Sequence, residues 1–148
     1  MKGIPPGTDV VGLIGGRRNM VDLGNAFHPR FKKIWIPLLK SFGTFSDDQI
    51  EMKSAKPFYS NYFLAKSSLM HELCPFVKAV QDRMTTLRTI QNNLWADPKY
   101  GDTNKEVAIR IFNRSYYSYH PFIIERLAPF YFYTRNTSVY LPFYWRKV

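Results

Sequence analysis

The chain has 148 residues, 45% hydrophobic and 17% aromatic, with a formal net charge of +10 and a pI of about 9.8. That is enough apolar material for one packed domain over residues 1–148, and it excludes a disordered chain, which requires low hydrophobicity. The positive balance suits nucleic acid, phosphorylated ligands or anionic lipid, although plain solubility or neutralisation within a larger acidic assembly accounts for it equally well.

The run from Thr8 to Ile14 reads as a short buried strand that ends at the Gly15-Gly16 turn. Arg17 and Arg18 follow in a loop without the spacing of a phosphate loop or dinucleotide fingerprint. From Pro29 to Phe42 the residues Phe31, Ile34, Trp35, Leu38, Leu39 and Phe42 recur every three or four positions, which predicts a helix with one apolar face. Pro29 suits its first turn, Gly43 its end, and Pro37 kinks its middle. Lys32, Lys33 and Lys40 fall off the apolar face and are expected in solvent. Ser46-Asp47-Asp48 reads as a polar loop or helix cap.

The stretch from Lys56 to Ala65 is aromatic and extended. A long helix is expected from Ser68 to Asn92, carrying Leu69, Leu73, Phe76, Val77, Val80, Met84 and Leu87 on one face. Cys74, the one cysteine, falls within this pattern and is expected as a buried structural thiol. Asp97 to Asp102 is a loop by its turn residues, and Asn104 caps a short helix through Phe112. His120-Pro121 opens another short helix that carries Glu125 and Arg126 and ends or bends at Pro129. The tail from Thr137 to Trp145 reads as an edge strand. These elements define an α/β or α+β fold with two longer helices and a few short strands.

Chemistry concentrates in two segments. In Phe58-Tyr59-Ser60-Asn61-Tyr62-Phe63 an amide sits among aromatics, a composition that suits saccharide stacking, nucleobase stacking or a buried Asn tying loops together. In His120-Pro121-Phe122-Ile123-Ile124-Glu125-Arg126-Leu127, three ionisable groups interrupt an apolar run. His120 can cap the helix, ligate a metal or contact phosphate; Glu125 can orient a hydroxyl or act as a base; Arg126 can bind diphosphate or pair with a carboxylate. A structural salt bridge against an aromatic core explains the same residues. No Cys/His cluster has zinc spacing and no Gly-x-Ser-x-Gly elbow occurs. His28 and His71 suit capping or surface roles.

The order of these segments carries a resemblance. A strand ends near Gly12-Leu13. Asn25-x-x-His28-Pro29-x-Phe31 then enters a Trp-bearing helix. Tyr59-Ser60-Asn61-Tyr62-Phe63 with Ala65-Lys66 precedes a long helix, and His120 to Leu127 closes the series. From about Asp9 to Phe132 the chain resembles the C-terminal half of bacterial and giant-virus type A glycosyltransferases of a capsular-polysaccharide-like, uncharacterised family. The resemblance implies that His120 contacts metal or diphosphate. It also implies that Glu125 and Arg126 organise the donor or acceptor site, and that Asn61 and Tyr62, with Tyr59, line the acceptor pocket. It further implies Mn²⁺ or Mg²⁺ as cofactor and a nucleotide sugar and saccharide acceptor as partners. The chain departs from the pattern in having no Asp-x-Asp and no N-terminal nucleotide-binding strands. The expectation is therefore a fragment, a domain completed by another chain, or one that has lost catalysis.

The leading expectation is a glycosyltransferase-like domain, complete or partial. The alternative is a basic, non-enzymatic structural or assembly subunit of a large viral, ribonucleoprotein or organellar complex, with protein or nucleic acid as partner. No secretory signal and no apolar run of about 18 residues is visible, so a cytoplasmic or other reducing compartment is expected and a transmembrane segment is not.

Overall fold

In the computed structural model, which describes residues 3–13, 18–55, 58, 62–99 and 105–141, β1 (Val10–Gly12) is the central strand of a three-stranded mixed sheet. It pairs antiparallel with β2 (Phe63–Ala65) in the register Val10 to Ala65 and Gly12 to Phe63. It pairs parallel with β3 (Val139–Tyr140), Val10 facing Val139. The Asp9 carboxylate accepts from Lys66 Nζ at 2.7 Å and from the Ser138 N–H at 2.9 Å, so one side chain ties all three strands. The Lys66 bond, then the Ser138 bond, hold the Asp9 pKa below its ordinary value. Gly12 is required by contact: a Cβ there would lie 2.6 Å from Phe58 Cβ and 2.7 Å from Leu141 Cδ2.

The rest of the α+β fold is helical. α1 (Met20–Phe27) was not expected. Its start is set by Asn19, whose Oδ1 accepts from the N–H groups of Val21 and Asp22 while its Nδ2 donates to the carbonyls of Glu51 and Met52. α2 (Phe31–Lys40) is the first expected helix, two residues shorter at each end, and it buries Phe31, Ile34, Trp35, Leu38 and Leu39. Lys32 pairs with Asp22 and Lys40 with Asp47 in exposed ion pairs. Ser46 caps α3 (Asp47–Ile50) through a capping box with Gln49.

The long helix is α4 (Ser67–Thr86), ending earlier than the expected Asn92. Leu87 turns extended, and a 3-10 turn (Arg88–Ile90) and α5 (Gln91–Leu94) follow. Cys74 is exposed on α4, not buried. The buried stripe is Leu73, Val80 and Met84, and Cys74, one residue past Leu73, is turned about 100° away from it. α6 (Lys105–Phe112) buries only Ala108. The His-Pro helix is α7 (His120–Ile124), and Glu125 and Arg126 separate it from α8 (Leu127–Thr134). Pro129 does not end this region. It lies in the first turn of α8, and because it has no N–H for the Glu125 carbonyl, it cuts the helical ladder between α7 and α8. α8 is apolar all round and buries every residue from Leu127 to Phe132.

Two apolar clusters result. One gathers α2, α3 and the inner face of α4 around Trp35, whose Nε1 donates to the Ile50 carbonyl at 2.8 Å. The other packs the sheet, Phe58, Leu73 and Phe132. Phe76 and Val77 of α4 touch both clusters. Among the described residues, no helix is long and apolar enough to cross a membrane.

Candidate functional site

His120 opens α7 beside an aromatic cleft of about 600 Å³. Its ring lies 4.6 Å from that of Trp95, tilted by 57°, and its Nδ1 is 2.7 Å from Ser118 Oγ. Arg114 and the Tyr116 hydroxyl both donate to the Trp95 carbonyl at 3.1 Å, and the Arg114 guanidinium stands 5.0 Å from the Trp95 ring centre. Desolvation holds the His120 pKa below its ordinary value near 6.5, which favours the neutral ring. A neutral imidazole can ligate a metal or read a hydroxyl. Among the described residues, however, no group of three His, Cys, Asp or Glu side chains gathers to share an ion with it.

Glu125 and Arg126 lie in different surroundings. Arg126 is buried, 6% exposed, and its Nη1 donates to the Phe122 carbonyl at 2.7 Å and reaches Glu125 Oε2 at 3.4 Å. Its guanidinium covers the Phe31 ring at 5.0 Å. A side chain so committed is not an open diphosphate clamp. His28, expected in a capping or surface role, is the C-cap residue of α1, its N–H donating to the Gly24 carbonyl, but its ring is not at the surface: it is 4% exposed and packs on the Phe122 ring at 4.0 Å. Its Nδ1 lies 3.2 Å from the Pro98 carbonyl, which can only accept, so this nitrogen carries the hydrogen. Burial lowers the His28 pKa, and the nearby Arg126 charge pushes the same way. The Arg30 N–H donates to the buried Tyr119 hydroxyl at 3.0 Å. Segments 25–31 and 119–127 therefore form one packed unit, although about ninety positions of chain separate them.

Tyr62 leads into β2 and is 60% exposed; its carbonyl accepts from the Leu13 N–H at 2.9 Å. Tyr59 and Asn61 lie outside the described residues. The cleft that His120 lines takes neither Glu125 nor Tyr62 into its wall.

A further polar constellation was not anticipated. The Tyr131 hydroxyl donates to Glu72 Oε2 at 2.8 Å and accepts from Arg135 Nε at 3.2 Å, while Arg135 Nη2 lies 3.5 Å from the same Glu72 oxygen. These residues border an open cleft of about 770 Å³. Tyr131 and Arg135 stand four residues apart, but a helix that ends or bends at Pro129, as the sequence predicts, does not pair them; α8 runs on to Thr134 and brings Arg135, its C-cap, back beside Tyr131. Glu72, 59 residues upstream of Tyr131 on α4, gave no local signal either.

Comparison with protein-family models, with curated proteins and with solved structures finds no match to this chain.

Proposed function

We propose that the chain is a glycosyltransferase-like domain that binds a nucleotide sugar, a saccharide acceptor or both. One observation supports this reading above the others: the two His-Pro segments on which the resemblance rests, Asn25 to Phe31 and His120 to Leu127, pack on each other through His28 on Phe122 and Arg126 on Phe31. In this reading His120 and Arg114 face the diphosphate from the Trp95 cleft, and Glu125 and Arg126 hold α7 in place from behind. Tyr62, with Tyr59 and Asn61, belongs to the acceptor side. Mn²⁺ or Mg²⁺ would arrive with the nucleotide sugar and offset its charge. Calorimetric titration with the common nucleotide sugars, with and without Mn²⁺, tests the proposal. Binding that strengthens with metal and weakens in His120→Ala supports it; no binding of any nucleotide sugar, together with no binding of simple saccharides, overturns it.

A second reading, a basic non-enzymatic assembly subunit, draws on α6. Ile109, Ile111 and Phe112 are 52%, 60% and 52% exposed on one short helix, beside the exposed Lys105 and Arg110. An apolar protein surface edged with carboxylates would cover this ridge. Self-association or partner capture lost in Ile109→Ser/Ile111→Ser, measured by light scattering during size-exclusion chromatography, favours this reading. A monomer indifferent to the substitutions and to acidic partners counts against it.

A further inference from the structure

We propose that the cleft formed by Phe45, Phe76 and Tyr131, with Gln49, Glu72 and Arg135 at its edge, binds a neutral saccharide ring. The choice of a saccharide rests on the glycosyltransferase-like reading; the choice of this cleft rests on its geometry. Its volume of about 770 Å³ falls in the range of small-ligand sites, about 300–1,000 Å³. The Phe45 and Phe76 rings meet nearly edge to face at 6.1 Å and 82°, and Phe76 lies 5.2 Å from Tyr131. This is an apolar floor on which the C–H face of a sugar ring can rest.

The polar edge is held in place before any ligand arrives. The Tyr131 hydroxyl bonds both Glu72 and Arg135, whose side chains are otherwise 53% and 57% exposed. The Arg135 guanidinium also stands 5.3 Å from the Tyr131 ring centre. Two long side chains are thus fixed at modest entropic cost to a ligand. Glu72 uses Oε2 for these contacts, and its other oxygen makes no bond to a described residue. Gln49 uses its oxygen to accept from the Ser46 N–H, and its amide NH₂ has no bond to a described residue. One acceptor and one donor at the rim of an apolar floor can each take a sugar hydroxyl. The charges of Glu72 and Arg135 offset each other, and the second carboxylate oxygen of Glu72 disfavours an anionic ring.

The test is a titration of isotope-labelled protein, followed by NMR, with glucose, galactose, N-acetylglucosamine and lactose, and with glucuronate as the charged comparator. Shifts on α3, α4 and α8 with a neutral sugar are expected, with weaker binding of glucuronate. Glu72→Gln and Arg135→Met should each weaken binding about tenfold or more. Both are surface changes that should leave the unfolding midpoint in place. Binding by none of these sugars, or binding indifferent to both substitutions, overturns the proposal. Nucleotide-sugar binding without saccharide binding would overturn this inference and leave the glycosyltransferase-like reading standing; the reverse pattern would uphold the inference and confine that reading to its acceptor side.

Discussion

Gly24 leaves room for the Phe31 ring and the Arg126 guanidinium and for nothing more. A Cβ at Gly24 would lie 2.9 Å from Phe31 Cδ1 and 3.1 Å from Arg126 Nε. Gly24→Ala should therefore destabilise the fold, although alanine favours a helix. Overpacking costs about 1–3 kcal/mol and helix propensity returns up to about 1 kcal/mol. A lower urea midpoint with unchanged slope is expected, and an unchanged or raised midpoint would refute the contact.

Arg126→Met keeps the apolar stem and removes the guanidinium. The Phe122 carbonyl then loses its donor and Phe31 its cation, for a cost of about 2–4 kcal/mol. Arg126→Lys should recover only part of this, because one ammonium cannot both cover the ring and reach the carbonyl. Equal stability of the lysine variant and the parent, in chemical denaturation, would count against the geometry.

Trp35→Phe removes the indole N–H from a site with no solvent access and leaves the Ile50 carbonyl unpaired beside a void. A loss of about 2–4 kcal/mol is expected. Because Trp35 links α2 to α3, hydrogen exchange in Asp47–Ile50 should accelerate in this variant. Unchanged protection there would disprove the link.

The pKa values of His28 and His120 are both lowered from about 6.5, chiefly by burial. The unfolded chain therefore takes up protons first as pH falls. The stability contributed by the neutral rings is fully present above about pH 6.5 and is lost progressively as pH drops from there through the folded-state values. Asp9, whose folded pKa lies below 3.8, adds a separate loss at lower pH as its bonds to Lys66 and Ser138 are protonated away. A thermal midpoint that is flat from pH 8 to 7 and falls between about 6.5 and 5, less steeply in His28→Gln, is the expected profile. A midpoint that rises on acidification through this range would contradict it.

Cys74 faces solvent on α4, so a thiol reagent should titrate one group in native buffer without denaturant. Modification that requires unfolding would place the thiol inside, as the sequence pattern alone had suggested.

Local rules carried much of the fold. The apolar spacing of Phe31, Ile34, Trp35, Leu38 and Leu39 specified α2, and Leu73, Val80 and Met84 specified the inner face of α4. The position of β2 followed from Phe63 to Ala65, whereas Tyr59 and Asn61, expected to join it at the site, lie outside the described residues. α1 was missed because Gly24 and the short run around Val21 give a weak period. Its cap, Asn19, is recognisable only when Glu51 and Met52 stand beside it.

The candidate sites divide in the same way. The sequence by itself determined that His120, Glu125 and Arg126 share one short segment and that aromatic residues surround them. It also determined the charge of +10. The tertiary structure decided which of these groups face a cleft. His120 stands against Trp95 at the start of α7, while Arg126, in the break between α7 and α8, turns inward onto Phe31. Only tertiary structure joined Glu72 to Tyr131 and Arg135, since the pairing depends on how α4 packs against α8 and no local spacing encodes it.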